Sequence, residues 1–189
     1  MIPPELLEKA YREGIFPMAD AEGTIRWFSP DPRTIIPLDN FHISRSLERT
    51  IRREKFRLTL NSDFEGVMRG CADRPETWIN EAIIEAYTAL FRMGKAVSVE
   101  AHLDKQLVGG IYGVSLGGGF MGESMFSRTR DASKVCLAYL LRRLAEKGYV
   151  LFDTQFQTPH LKRFGAVEIP REEYLKRLKQ ALGLNCRLV

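Results

Sequence analysis

Residues 96–126, AVSVEAHLDKQLVGGIYGVSLGGGFMGESMF, decide the fold. Within them Ala96–Leu103, Gln106–Ser115 and Gly119–Phe126 are rich in β-branched and aromatic residues and are separated by turn signals. Asp104-Lys105 forms one turn and Leu116–Gly118 lies in the other. Three consecutive strands joined this tightly must run antiparallel. Downstream the period changes from two to about 3.6. Ser127–Asp131 leads into a helix carrying Val135, Ala138, Leu141, Leu144 and Ala145, and Gly148 closes it. Tyr149–Gln155 then reads as a short strand, apolar until Asp153, and a last helix covers Glu172–Leu182 behind Pro170.

Upstream, Leu6, Leu7, Ala10 and Tyr11 recur at helical spacing and Gly14 is placed to stop that helix. Phe16–Pro37 holds Pro17, Gly23, Pro30, Pro32 and Pro37, so it reads as loops and short strands. Ser44 caps a basic helix reaching Arg53, and Phe56–Leu60 is a short strand. Ser62 or Asp63 caps a helix with Phe64, Val67 and Met68. Trp78 opens the stretch to Met93, whose stripe is Ile83, Ile84, Tyr87, Leu90 and Phe91. The fold class is therefore α/β (α+β): a mixed sheet flanked by helices, with a small N-terminal lobe at 1–37 and the main domain at 38–189. The order resembles the N-acetyltransferase-like (GNAT-like) architecture.

Composition excludes several classes. Hydrophobic residues make up 44% and charged residues 28%, an ordinary globular balance. No apolar run approaches the roughly 20 residues of a membrane helix. MIPPELLEKAYREG lacks the apolar run of a signal peptide, so a cytoplasmic location is expected. Cys71, Cys136 and Cys186 are far apart and odd in number, and no two stand at metal-ligand spacing with each other or with His42, His102 or His160. Neither a disulfide framework nor a metal site is expected.

The net charge is +4 and the pI about 9.0. Ser44–Arg57 alone holds six basic residues (Arg45, Arg49, Arg52, Arg53, Lys55, Arg57) against Glu48 and Glu54, a surplus equal to that of the whole chain. A second cluster comprises Lys162, Arg163, Arg171, Lys176, Arg177 and Lys179. Such clusters suit a phosphate backbone, and equally a solvated helix face. Gly109-Gly110 and Gly117–Gly119 match no nucleotide-binding fingerprint and read as strand and turn glycines.

Two polar anomalies mark the candidate site. In Gly122–Ser127 strict alternation puts Glu123 on one face with Met121 and Met125, and Phe120 and Phe126 opposite. A carboxylate in such a strand is costly unless it is paired or turned to water at a sheet edge. Asp153 and Gln155 stand at i and i+2, on one face, at the C-terminal end of an apolar strand where open α/β sheets take ligands; satisfying a buried loop is the other reading of Asp153. Trp27 and Trp78 each read first as core; Trp78, between a loop and a helix start, also stands where stacking on a base or an aromatic ring is possible.

The sequence resembles the leucyl/phenylalanyl-tRNA–protein transferases. The resemblance rests on AYREGIFPM (10–18), WFSPDPR (27–33), FHISRSL (41–47), TWI (77–79), AY (86–87), SVE (98–100), LVGGIYGV (107–114), GESMFSR (122–128), ASK (132–134), DTQ (153–155) and FGAVEIPR (164–171). It implies transfer of leucine or phenylalanine, and methionine less well, from tRNA to proteins beginning with Arg or Lys, which marks them for degradation. It implies no cofactor, neither ATP, metal nor redox group, and a monomer. Carried over by motif, Glu123, Asp153 and Gln155 are the catalytic residues. Trp78, Tyr87 and Tyr11 contact substrate, while Ile111, Phe120, Leu137 and Leu140 line the aminoacyl pocket. Arg45, Arg49, Arg52, Arg53 and Lys55 become tRNA contacts.

On this reading Asp153 orients Gln155, whose carbonyl oxygen holds the incoming amine. Asp153, a water or the tRNA 2′-hydroxyl takes the proton, and Glu123 holds the aminoacyl α-ammonium or the ribose. Met18 stands where some family members have Trp, Val97 where His is usual, and His102 where Trp is usual. Another GNAT-like acyltransferase and a non-catalytic aminoacyl-tRNA-binding paralogue remain as alternatives. Ser127–Asp131 lacks the glycines of an acetyl-CoA pyrophosphate loop.

Overall fold

The computed structural model describes residues 2–188. The quoted stretch forms β5 (Ala96–Leu103), β6 (Gln106–Leu116) and β7 (Gly119–Ser127), antiparallel in that order. Asp104 and Lys105 both take positive φ in the tight turn between β5 and β6. The helix α5 (Ala132–Glu146) carries the chain back so that β8 (Leu151–Gln155) lies parallel to β7. With β4 (Arg57–Leu60), β3 (Arg33–Ile35) and β9 (Val167–Ile169) the sheet has seven strands in the order β4-β5-β6-β7-β8-β3-β9. The expected mixed sheet flanked by helices is what the chain forms.

Helices cover both faces. One core lies beneath α5, where Val135, Leu137, Ala138, Leu141 and Leu144 meet Val97, Val99, Ile111 and Phe120. The other lies beneath α1 (Pro4–Arg12), α3 (Phe64–Ala72) and α4 (Glu81–Arg92), where Leu7, Tyr11, Val67, Met68, Ile83 and Tyr87 meet Tyr112, Val114 and Met121. Asp63 caps α3 by accepting from Gly66 N, and Asn80, not the stretch from Trp78, starts α4. The basic helix α2 (Arg45–Arg52) is capped by Ser44 as expected. The last helix, α7 (Arg171–Leu182), packs Tyr174, Leu178 and Ala181 against Ile35 and Leu151.

Phe16–Pro37 resolves into a two-stranded ribbon, β1 (Phe16–Ala19) with β2 (Ile25–Phe28), and then β3. β3 precedes residue 37 yet sits inside the main sheet, paired to β8 and β9. Among the described residues no helix is long and apolar enough to cross a membrane.

Candidate active site

Pairing between β7 and β8 ends at Met121–Asp153, although β7 runs on to Ser127. Beyond that pair the two strands separate, and a cavity of about 250 Å³ opens in the notch. Gly122–Met125 of β7 form one wall, and Phe152, Thr154 and Gln155 of β8 form another. Ile111, Phe16, Met18, Trp78, Phe156 and Leu161 make most of the remaining surface apolar, with Arg74, Thr158 and His160 as its other polar members. This is the composition of a site for a mainly apolar group with a few polar fixings.

Strict alternation does not survive in β7. Tyr112 pairs with Ser124 but Gly113 pairs with Gly122, so Glu123 is an extra residue in a β-bulge. Met121 lies in the core beneath α3 and α4, as Glu123 does, but Met125 faces the α5 side and Phe126 packs under α3 against Gly70. The expected sharing of faces is therefore reversed for Met125 and Phe126. The bulge needs Gly113: a Cβ there would lie 2.3 Å from the Met121 carbonyl oxygen.

Glu123 meets two fully buried tyrosines. Tyr87 donates its hydroxyl to Oε2 at 3.2 Å, and the hydroxyls of Tyr11 and Tyr87 are in contact. These two tyrosines lie behind Glu123 and have no surface on the cavity. Burial pushes the Glu123 carboxyl up to about 8, helped by the Asp153 charge and opposed by hydrogen bonds from Tyr11 and Tyr87 and by Arg33. Burial likewise raises the phenols of Tyr11 and Tyr87, so they remain donors.

Asp153 is entirely buried and does not reach the cavity. Its Oδ1 accepts from Arg33 Nε and from Gln155 N, both at 2.9 Å. Its Oδ2 accepts from Arg33 Nη2 at 2.7 Å and from the Tyr174 hydroxyl at 2.9 Å. All four acceptor positions of the carboxylate are thus filled, so Asp153 has no place for a further proton. Asp153 does hold Gln155, through the backbone N–H and not through the side-chain amide. Gln155 takes φ of 60°, a left-handed conformation that costs a non-glycine residue about 1–3 kcal/mol and ends the strand. The side chain turns back, and Nε2 donates to Glu123 Oε1 at 3.3 Å. Glu123 and Gln155 are in this way joined at the cavity wall.

The sequence reading missed Arg33 and Tyr174. Arg33 is fully buried, donates Nη1 to the Gly14 carbonyl at 3.0 Å, and lies between the rings of Phe16 and Tyr174 at 4.9 and 4.3 Å. Burial works against its charge, but the hydrogen bonds and charge of Asp153 outweigh this and raise its pKa. Arg33 closes WFSPDPR and opens the three-residue strand Arg-Thr-Ile, and nothing local in the sequence marks it as buried. His160 also lines the cavity, and burial followed by Lys134 and Arg163 lowers its pKa.

Of the four expected pocket residues, Ile111 alone has a surface on the cavity. Phe120, Leu137 and Leu140 lie one layer beneath, fully buried in the α5 core, because β7 and α5 turn those side chains inward. Phe120 supports the wall by stacking on Phe152 at 5.5 Å. Trp78 is at the cavity, whereas Trp27 is 40% exposed on the ribbon and not in the core. Met18 lines the cavity; Val97 is in the core and His102 pairs with Arg57 on the far side of the sheet. Arg49, Arg53 and Lys55 come together with Arg130, Lys134 and Arg163 around a polar groove of about 520 Å³, while Arg45 and Arg52, the two ends of α2, are exposed elsewhere.

Residues 35–179 match the family described as leucyl/phenylalanyl-tRNA protein transferase, and residues 1–31 match the N-terminal domain of the same family. The leucyl/phenylalanyl-tRNA–protein transferase of Gloeobacter violaceus is 55% identical over 97% of this chain and 96% of its own length. That of Rubrobacter xylanophilus is 54% identical over 96% of each chain. That of Cereibacter sphaeroides is 55% identical over 95% of this chain and 85% of its own. The chain belongs to the leucyl/phenylalanyl-tRNA–protein transferase family.

Proposed function

We propose that this aminoacyltransferase moves leucine or phenylalanine, and methionine less well, from tRNA to the α-amine of proteins beginning with Arg or Lys, creating a degradation signal. The observation that carries this reading is the joined pair Glu123–Gln155 at the wall of a largely apolar cavity. An apolar side chain fills the cavity, and its ester carbon lies at the polar wall. An aminoacyl-tRNA ester is already activated, so aminolysis needs no ATP, and the enzyme's work is positioning and proton handling.

The first 37 residues supply Phe16 and Met18 from the β1–β2 ribbon and Arg33 from β3 of the main sheet, and residues 38–189 supply the rest. Trp78 stacks near the terminal adenosine. The groove of Arg49, Arg53 and Lys55 follows tRNA phosphates, and Arg45 and Arg52, elsewhere on the same basic helix, extend the phosphate-binding surface. Tyr11 and Tyr87 act on substrate through Glu123. Phe120, Leu137 and Leu140 shape the aminoacyl pocket from beneath. The enzyme works in the cytoplasm as a monomer.

The test is transfer of radiolabel from Leu-tRNA or Phe-tRNA to a protein beginning with Arg or Lys, beside a matched protein beginning with Ala. Label on the Arg and Lys proteins alone is expected. Equal labelling of the Ala protein contradicts the acceptor specificity.

A further inference from the structure

We propose that Glu123 is the group that takes the proton from the attacking amine and returns it to the ribose oxygen that leaves. The proposal rests on the aminoacyl-transfer reading and adds the identity of the proton carrier.

Three geometric facts lead to it. Asp153 is sealed from the cavity and already accepts four hydrogen bonds. Gln155 is an amide, too weak a base to keep a proton. With its Nε2 on Glu123, its carbonyl oxygen is the end left to hold an amine N–H, and an amine held there is beside the Glu123 carboxylate. Glu123 itself lines the cavity while Tyr87 fixes its Oε2 from behind. Two other titratable side chains lie on the cavity wall. Arg74 is a cation tied to the Cys71 carbonyl and Ser124. His160 has an Nε2 with no hydrogen-bond partner among the described residues. It packs edge-on against Phe164, and burial with Lys134 and Arg163 lowers its pKa, which makes it a weaker base than Glu123.

The charged and titratable groups around Glu123 are Tyr11 from α1, Tyr87 from α4, Tyr112 from β6, Arg33 from β3, Asp153 from β8 and Tyr174 from α7. Their balance with burial leaves the carboxyl near 8, close to the ordinary value of about 8 for an α-amine, so a proton passes between them at little cost.

The step balances. The neutral amine attacks the ester carbon, a C–N bond forms, and the carbonyl π pair moves to oxygen. The surplus proton on nitrogen passes to Glu123. The C–O bond to the ribose breaks as the carbonyl reforms, and Glu123 gives its proton to the departing oxygen. One ester becomes one amide and one hydroxyl, and the carboxylate is restored.

The experiment is single-turnover transfer to an Arg-starting peptide at subsaturating acceptor, followed against pH for the wild type and E123Q. Glutamine keeps the size of the side chain and one accepting oxygen but takes no proton. Below both pKa values the wild-type log rate rises with pH at a slope of about 2, one unit from the amine and one from Glu123. E123Q is expected to be at least about 100-fold slower with a slope of about 1. E123A is expected to regain rate with added acetate, and less with the weaker base formate. A slope unchanged in E123Q, with the loss appearing only as weaker binding of aminoacyl-tRNA, overturns the proposal and leaves Glu123 holding the donor's ammonium. Absence of transfer by the wild type overturns the reading on which the proposal rests, and the proposal with it.

Discussion

Arg33 and Asp153 grip each other by two hydrogen bonds, Nε to Oδ1 at 2.9 Å and Nη2 to Oδ2 at 2.7 Å, with neither side chain open to solvent. The pair joins β3 to β8 and fixes the backbone of Gln155, so a stability element and a site element are the same object. Removing one partner leaves the other buried and uncompensated. R33M is expected to lose about 3–5 kcal/mol in urea unfolding, and R33M/D153N to recover part of it.

Glu123 gives the folded protein a pH dependence that can be measured without substrate. Its folded pKa, about 8, lies above its ordinary 4.5, so between those values the folded protein holds a proton that the unfolded chain has released. Stability from this group is therefore full below 4.5 and is lost as pH rises through about 8. E123Q does not titrate. Its stability relative to the wild type should rise as pH is raised from 5 to 9, read as the difference in unfolding midpoint, while a flat difference contradicts the assignment.

Gly14 combines a φ of 77° with close approach: a Cβ there would lie 2.7 Å from Leu175 Cδ2, and its carbonyl receives Arg33. G14A should destabilise by clearly more than G148A in the same unfolding assay: at Gly148 the added Cβ meets only open space and the left-handed φ of 76° alone costs about 1 kcal/mol, whereas at Gly14 the clash with Leu175 adds to the same backbone strain.

Much of this fold is legible in the sequence, and the unreadable parts share a cause. β5, β6, β7 and α5 declare themselves because their periodicity is local and the turn residues between them are specific. The bulge at Glu123 does not, since alternation counts residues but cannot show where a strand carries one too many. β3 is three residues long and is fixed by partners about 120 positions away, so nothing local marks it. Glu123, Asp153 and Gln155 were visible as polar residues in apolar strands. Arg33 and Tyr174, which hold Asp153, were not, because one passes for a surface arginine and the other for an ordinary member of a helical stripe. The inward turn of Phe120, Leu137 and Leu140 is likewise set by packing against α5 and β7.

Aminoacyl choice should follow the cavity wall. Ile111 lines it beside Met125 and Phe152. I111A opens space for a ring and should raise the preference for phenylalanine over leucine by about 10-fold or more, within the roughly 1–3 kcal/mol that such pockets discriminate. The ratio of kcat/KM for the two donors reads this independently of any loss in folded protein.

Binding of tRNA should depend on the groove of Arg49, Arg53, Arg130 and Lys134. R49A and R130A should each weaken aminoacyl-tRNA binding for leucine and phenylalanine alike and lower the salt slope by about 1. R92A, at the exposed end of α4, should leave both unchanged.

The central claim is that an aminoacyl group is transferred at the centre formed by Glu123 and Gln155. It is tested most directly by the single-turnover rate from Phe-tRNA to an Arg-starting peptide, for the wild type and Q155A together, with the product identified by its new N-terminal residue. The account predicts Phe-Arg at the product N-terminus with the wild type and a rate at least about 100-fold lower with Q155A. No product from the wild type, or equal rates from the two proteins, would contradict it.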